Sequence, residues 1–200
     1  MIGGSKLYVY ELVNDSLVGR SFYDAHFFVT SIKTMKFYIA FGDARHGVHL
    51  LRWREDIRKL QLLARDPLPL SIYAVEFIVM GSTFGILASD EHKNLLVYVF
   101  NPASPEYRRQ QLIVRCDLHL GSHVNRFLRW TMPFRPSSGV RIAAHYSTAD
   151  GALGSVAPLA EDSYRKLLAL QNLLATSVPH FAGLNPKSWR LFRPELVMKR

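Results

Sequence analysis

The sequence is poor in the features that mark membrane, secreted and disulfide-stabilised proteins. Its 200 residues contain one cysteine, Cys116, which excludes an internal disulfide and a cysteine-based zinc site. Apolar neighbours of Cys116 favour a buried structural thiol, and so low a cysteine content fits the cytosol or nucleus. No apolar run reaches the roughly 18 residues that a membrane-spanning helix needs. The residues that follow Met1 lack the apolar core of a signal peptide.

Short motifs of enzyme chemistry are missing as well. The chain has no Gly-x-Ser-x-Gly, no phosphate-binding loop, no Gly-x-Gly-x-x-Gly and no His-Glu-x-x-His. Ser163 and Lys166 match a Ser-x-x-Lys pattern, but the companion motifs of that enzyme class are absent. His46 and His49 are three positions apart, without a third ligand nearby. We therefore expect a protein that is not an enzyme and that has no catalytic residues, no metal ion and no cofactor.

The composition is that of a globular, basic protein. Hydrophobic residues make up 48% of the chain, which is enough for a sizeable core, and the formal net charge is +9. A positive balance of this size favours polyanions or acidic protein surfaces as partners. The excess is spread along the chain and is densest in the last fourteen residues.

A repeat is visible at the ends of apolar runs. Three runs lead into similar polar turns, namely Phe37–Phe41 before Asp43, Phe84–Ala88 before Asp90, and Ile142–Tyr146 before Asp150. After each turn comes a second apolar run. Between these pairs a further marker recurs, in which short apolar stretches end at Asp24, Asp66 and Asp117. Each unit thus predicts about four short strands, and the units recur every roughly 40 to 50 residues.

This period and strand count predict a mainly β fold, a partial β-propeller of about three to four four-stranded blades. A β-sandwich is the competing all-β interpretation, but it leaves the recurring aspartates unexplained. We interpret those aspartates as turn residues, since a short carboxylate at a strand end accepts hydrogen bonds from the backbone amides of the next turn.

The two ends of the chain differ from the repeat. Lys6–Tyr10 matches the third strand of a unit, so the first two strands of that blade are expected to be missing. The remaining blades must then come from elsewhere in a longer chain. We assign residues 1–158 to propeller blades and 159–200 to a helical segment. Helical spacing predicts a helix over about residues 161–177, capped within Glu161–Ser163, and a second short helix near Asn185.

Arginines near aromatic residues are the candidate contacts for RNA or a protein partner. Arg–aromatic alternation occurs in Leu51–Arg54 and in Arg126–Trp130, and two further arginines lie in a predicted surface loop. The candidate residues are Arg52, Arg54, Arg108, Arg109, Arg126 and Arg129. A solvated outer strand with arginines extending along its surface is the simpler interpretation. Any RNA contact through these side chains would be phosphate-directed and salt-dependent.

Several longer stretches resemble a known family. Gly42–Trp53 is similar to a segment shared by large propeller scaffolds, which include subunits of damaged-DNA-binding and splicing factor 3b complexes. Asp117–Asn125, Tyr164–Asn172 and Pro179–Pro186 resemble the branch formed by the largest subunit of the cleavage and polyadenylation specificity factor. The resemblance extends from about residue 6 to residue 193.

The resemblance implies a role in the nucleus, in pre-mRNA cleavage and polyadenylation. Members of that branch are three-propeller scaffolds with a C-terminal helical domain. They hold a WD-repeat subunit and a zinc-finger subunit that read the AAUAAA signal, and they contact pre-mRNA weakly or indirectly. No membrane partner is implied. Two alternatives stay open at this point: a sister scaffold in a DNA-damage ubiquitin ligase or splicing complex, and a propeller that binds RNA directly.

Overall fold

The computed structural model describes residues 2–80, 83–100, 110–132, 141–178 and 191. Within these residues the chain forms four antiparallel sheets, numbered I to IV, and then a helix.

Sheet I comprises β1 (Ile2–Gly3), β2 (Lys6–Val13) and β3 (Ser16–Asp24). Sheet II comprises β4 (Val29–Met35), β5 (Tyr38–Asp43), β6 (Gly47–Arg54) and β7 (Lys59–Arg65). Sheet III comprises β8 (Ile72–Met80), β9 (Thr83–Asp90), β10 (Asn94–Val99) and β11 (Ile113–His119). Sheet IV comprises β12 (Val124–Met132), β13 (Arg141–Thr148) and β14 (Leu153–Val156), and helix α1 spans Glu161–Ser177.

Within each sheet, strands that are consecutive in sequence are also neighbours in space. Sheets II and III have four strands each, which confirms the predicted mainly β fold of propeller-like, four-stranded units followed by a helical segment. In the part of the chain described, no helix is long and apolar enough to cross a membrane.

The repeat is also present in the strand registers. In sheets II, III and IV, the first and second strands carry a β-bulge at the same place. The residue pairs that precede the bulge are Val29–Asp43, Ile72–Asp90 and Val124–Thr148. A second bulge recurs between the last two strands of sheets I, II and III, after Val9, Leu50 and Val97. Because bulges fix where a strand bends and how its side chains are aimed, these registers define equivalent positions from sheet to sheet.

The hydrophobic core lies between neighbouring sheets. One cluster, which includes Leu7, Val29 and Phe41, joins sheets I and II. A larger cluster joins sheets II and III, and a third, built around Leu95 and Phe127, joins sheets III and IV. Apolar side chains on both faces of a sheet are therefore buried wherever the sheet has two neighbours. This arrangement explains the nearly continuous apolar runs seen in the sequence.

Three expectations about local structure need correction. The blade of sheet I retains a two-residue second strand, β1, paired with β2, so its second strand is short rather than missing. Cys116 is exposed, because β11 is the outer strand of sheet III and has sheet neighbours on one side only. Helix α1 matches the predicted bounds, but its N-cap is Ala160, without a side-chain cap hydrogen bond. The predicted helix near Asn185 lies outside the described residues.

Candidate interaction surfaces

Buried polar residues organise the turns at one end of the sheets. At the end of β5, the carboxylate of Asp43 accepts hydrogen bonds from the backbone N–H groups of Phe27 (3.0 Å), Arg45 (2.8 Å) and His46 (3.1 Å). Burial by itself would raise the pKa of Asp43, but these donors and the His46 ring together hold it below its ordinary value. The carboxylate thereby ties the β5–β6 turn to the segment that enters β4.

Equivalent turns in the next two sheets use related chemistry. Asp90 accepts hydrogen bonds from the backbone N–H (2.7 Å) and the side-chain amide (2.9 Å) of Asn94. In sheet IV the equivalent residue is Thr148, whose Oγ1 accepts a hydrogen bond from the N–H of Ala152 (2.9 Å). The turn interpretation is thus confirmed in sheets II and III. In sheet IV it named the wrong residue, since Asp150 lies inside the turn, two positions beyond the strand end.

The second set of aspartates does not mark one structural position. Asp24 lies opposite Lys6, the first residue of β2, and its carboxylate is 3.4 Å from the Lys6 ammonium. Asp117 lies opposite Leu96, the third residue of β10. Asp66 follows β7 and is buried. These three aspartates therefore occupy three different structural environments.

The environment of Asp66 is the most unusual of the three. Its carboxylate accepts a hydrogen bond from the hydroxyl of Tyr98 (2.6 Å) and one from the backbone N–H of Leu68 (3.0 Å). Burial raises the pKa of Asp66 to about 6, although both hydrogen bonds act in the opposite direction. The pKa of Tyr98 is also raised, chiefly by burial. This pair joins the end of sheet II to the third strand of sheet III.

A histidine group lies near the same end of sheet II. His49 is fully buried and stacks on Phe41, with ring centroids 4.7 Å apart, while the His26 ring packs against it at 5.7 Å. Burial lowers the pKa of His49 to about 4, although the nearby Asp43 carboxylate acts in the opposite direction. In the described part of the chain, no three His, Cys, Asp or Glu side chains are arranged to hold a metal ion.

The candidate arginines do not form one surface. Arg52 and Arg54 lie on β6 in sheet II, where the Arg54 guanidinium donates to both carboxylate oxygens of Asp56 (3.0 and 2.7 Å). Arg126 and Arg129 lie on β12 in sheet IV, so sheet III separates the two pairs. Arg108 and Arg109 lie outside the described residues.

A hollow next to Trp53 lies between sheets I and II. It has a volume of about 380 Å³ and is lined by Val9, Tyr10, Glu11, Arg20, Trp53, Glu55 and Arg58. A second hollow of about 180 Å³ lies on the Arg52 side of Trp53. Arg20 already pairs with Glu11 at 2.5 Å. Trp53 lines both hollows, and Arg52 lines the smaller one.

Sequence reasoning missed an aromatic and basic rim beside the Asp43 turn. Phe27 and Phe28 are about half exposed, and the Arg45 guanidinium lies 4.7 Å from the centre of the Phe27 ring. Arg45 forms no ion pair with the part of the chain that the structure describes, because the oxygens of the neighbouring Asp43 face inward. The available signal was the pair of aromatic residues, Phe27 and Phe28, just before β4.

Comparison with known proteins decides the family. A sequence model described as "CPSF A subunit region" matches residues 2–200. The chain belongs to this family. Members similar to the chain include the "Probable cleavage and polyadenylation specificity factor subunit 1" of Oryza sativa subsp. japonica, which is 36% identical over 196 residues. The corresponding subunits of Arabidopsis thaliana and Drosophila melanogaster are 37% and 36% identical over 193 and 200 residues.

The similarity to these relatives covers nearly all of the chain and a small part of each relative. Between 94% and 95% of the chain is aligned, but it spans only 13% to 14% of the length of these three subunits. The predicted family resemblance is thus confirmed. Membership of the CPSF A family describes this region, whereas the activity and partners of the much longer relatives belong to whole proteins.

Proposed function

We propose that the chain is a non-enzymatic scaffold region that acts in the nucleus, in pre-mRNA 3′-end cleavage and polyadenylation. The observation that carries this proposal is the 36% to 37% identity to proteins named as subunit 1 of the cleavage and polyadenylation specificity factor. A family member that shares this region is expected to share the assembly in which the region works.

Connections between the sheets support a scaffold role. The Lys33 ammonium in sheet II lies 2.7 Å from the Glu76 carboxylate in sheet III and donates to the backbone oxygen of Phe127 in sheet IV (3.1 Å). The Thr30 hydroxyl donates to the backbone oxygens of Gly42 and Ile72. Three sheets are therefore held in one arrangement, as a platform for partners requires.

The proposed partners are the WD-repeat and zinc-finger subunits of the same factor, with pre-mRNA contacted weakly or indirectly. A net charge of +9 favours acidic partner surfaces. The hollow beside Trp53 offers an aromatic anchor and the exposed Arg58, and tryptophan and arginine are both enriched at protein interfaces.

Affinity purification of the parent protein from nuclear extract tests the proposal. We expect the other cleavage and polyadenylation subunits among the recovered proteins, and reduced recovery of at least one of them with Trp53→Ala. Phe22→Ala, at an exposed position on sheet I that lines neither hollow, is the matched aromatic control. Recovery of a cullin or of spliceosomal proteins instead would favour a sister scaffold, and recovery of none of these would reject the proposal.

Direct RNA binding is a second candidate, favoured by the rim formed by Phe27, Phe28 and Arg45. Exposed rings provide stacking surfaces for unpaired bases, and the Arg45 guanidinium, which has no ion pair among the described residues, can contact phosphate. Fluorescence anisotropy with a labelled single-stranded RNA should then show affinity that falls steeply with salt and weakens with Phe27→Ala. Equal affinity of Phe27→Ala and of Phe22→Ala, an exposed control on sheet I, would reject this candidate.

A further inference from the structure

The turns that follow the second strand of sheets II, III and IV share one backbone hydrogen bond. In each sheet, the N–H of the first turn residue donates to the backbone oxygen of the residue just before the first strand. The pairs are Ala44 to Phe28, Glu91 to Ser71 and Ala149 to His123, at 2.9, 2.9 and 2.8 Å. These bonds define equivalent positions in the three sheets. A residue type that changes from sheet to sheet at such a position is not required by the turn.

Two arginines of sheet II stand where the other sheets have carboxylates. Arg45 lies two positions beyond the end of its strand, which is the position of Asp150 in sheet IV. Arg65 pairs with the third residue of the third strand, which is the position of Asp117 in sheet III. Because the same backbone arrangement is built with acidic residues at these places, the fold does not require either cation.

Two histidine rings connect these arginines into one surface. The Arg65 guanidinium lies 3.4 Å from Nε2 of His26, and the His26 and His46 rings are 5.3 Å apart, centre to centre. Arg45 precedes His46, and its guanidinium lies on the ring of Phe27, the residue after His26. All four basic side chains are exposed. We call these four residues, His26, Arg45, His46 and Arg65, the basic patch.

The two arginines of the basic patch have no acidic partner among the described residues. Asp43 and Asp66 are close in sequence, but both are buried and their carboxylates accept hydrogen bonds from other groups. Asp24 is exposed and already lies beside a lysine ammonium. The guanidinium groups of Arg45 and Arg65 therefore remain available to a negatively charged ligand.

The surroundings of the basic patch favour a short acidic segment over a nucleic-acid strand. Proteins that bind single strands provide a continuous basic groove and successive rings for stacking. Here the equivalent turn of sheet III has both Glu91 and Lys93, and that of sheet IV has Asp150, so the positive charge ends at sheet II. Of the two rings beside the patch, Phe27 is already in contact with a guanidinium, which leaves Phe28 for a ligand.

We propose that the basic patch binds an acidic segment of a partner protein. Carboxylates of this segment pair with Arg45 and Arg65, since a guanidinium matches a carboxylate in charge and geometry. The His26 and His46 rings add N–H donors between the two guanidinium groups, and an apolar side chain of the segment packs on Phe28. The inference rests on the proposed scaffold role, for which it gives the chemistry of one partner.

Fluorescence anisotropy with the purified parent protein tests this inference. The probe is a labelled peptide in which glutamates flank a single leucine, and the same peptide with glutamines is the neutral control. We expect the glutamate peptide to bind, and its affinity to fall about tenfold with Arg45→Gln and Arg65→Gln together. Phe28→Ala should also weaken binding. Lys59→Gln with Arg115→Gln removes the same charge at exposed positions outside the patch and should leave the affinity nearly unchanged.

Four results would overturn the inference. They are no binding of the glutamate peptide, equal binding of the glutamine peptide, equal losses with the two double variants, and an affinity that Phe28→Ala leaves unchanged. Tighter binding of a single-stranded RNA that displaces the peptide would assign the surface to RNA and would also reject it. Because both arginines are exposed, thermal unfolding of their variants should match that of the wild type.

This measurement is separate from the recovery of cleavage subunits in affinity purification. Recovery of those subunits without binding of the glutamate peptide rejects this inference alone. Peptide binding that depends on the basic patch, without recovery of the subunits, rejects the proposed function alone.

Discussion

At the scale of single residues, two buried ionisable side chains have opposite pH dependence. The pKa of His49 is lowered to about 4, and that of Asp66 is raised to about 6. Burial is the first cause of both shifts, since it disfavours the charged form of either group. At pH 7 the His49 side chain is neutral and the Asp66 carboxylate is charged. Acid therefore adds a buried charge at His49, which lowers the stability of the fold, and removes a buried charge at Asp66, which raises it.

We expect His49→Leu to remove a loss of stability in acid. The folded pKa lies below the ordinary value of 6.5, so the contribution of His49 is complete above pH 6.5 and is lost as the pH falls through 4. A shift of this size corresponds to about 3 kcal/mol in the free energy of unfolding. Urea unfolding between pH 4 and 7 measures this change in the free energy of unfolding, with His92→Leu as a surface control. An acid loss that persists in His49→Leu would contradict the expectation.

We expect Asp66→Asn to abolish a pH dependence of stability that has the opposite sign to that of His49. The folded pKa lies above the ordinary value of 3.8, so the contribution of Asp66 is complete below pH 3.8 and is lost as the pH rises through 6. The ionised carboxylate then costs about 3 kcal/mol at neutral pH relative to the protonated form. Asp66→Asn should be more stable than the wild type at pH 7 in urea unfolding, whereas Asp24→Asn on the surface should not.

Between about pH 4 and 6 these two effects oppose each other in the wild-type chain. Its unfolding free energy should therefore vary less with pH than that of either variant. His49→Leu should gain stability as the pH falls, and Asp66→Asn should lose it. Parallel profiles for both variants would show that groups other than His49 and Asp66 dominate.

At the scale of elements, the turns depend on backbone conformations and on space. Gly47 opens β6 with φ +73°, and a Cβ added to it would lie 2.6 Å from the Cβ of Asp66. Gly151, in the equivalent turn of sheet IV, has φ +87° and open space around it. Both glycines adopt a positive φ, which favours glycine, but only Gly47 is packed closely against a neighbouring side chain.

Alanine at these two glycines separates strain from packing. Gly151→Ala should cost about 1 kcal/mol, from backbone strain alone. Gly47→Ala should cost at least about 2 kcal/mol more, because the clash with Asp66 shifts the segment between β7 and β8. Denaturant unfolding measures both variants. Equal losses of stability in the two variants would mean that the segment between β7 and β8 moves away from the added methyl group without a cost in free energy.

At the scale of the whole molecule, buried polar contacts hold neighbouring sheets in register. Lys33, Glu76 and the backbone oxygen of Phe127 connect three sheets, although 94 residues separate Lys33 from Phe127. Glu76 is nearly buried and also accepts a hydrogen bond from the N–H of Phe77 (3.0 Å). Its charge therefore depends on the Lys33 ammonium for compensation.

Lys33→Met should destabilise the chain by about 2 to 4 kcal/mol, because it leaves the Glu76 carboxylate buried without its cation. The double variant Lys33→Met with Glu76→Gln should recover most of this loss, since the uncompensated charge is gone. Arg20→Met, which breaks the exposed pair with Glu11, should cost less than about 1 kcal/mol. Thermal unfolding of the wild type and of these variants measures the losses of stability. Equal losses for Lys33→Met and for the double variant would show that the uncompensated Glu76 charge is not the cause.

The sequence by itself determined the repeat, the sheet type and helix α1. These depend on local signals: the alternation of apolar runs with turns, the aspartates at strand ends, and helical spacing over residues 161–177. Family membership was also readable from local stretches such as Gly42–Trp53, and the match over residues 2–200 confirms it.

Only the tertiary structure decided which residues meet. Asp66 reaches Tyr98 across 32 positions, Thr148 takes the place expected for an aspartate, and Cys116 is exposed on an outer strand. The four candidate arginines that the structure describes are divided between two sheets, and the rim around Phe27 is formed by packing at the Asp43 turn. The physical reason is that register and contacts between blades depend on partners far away in sequence. Local patterns predict a strand, but its neighbours decide which of its faces is covered.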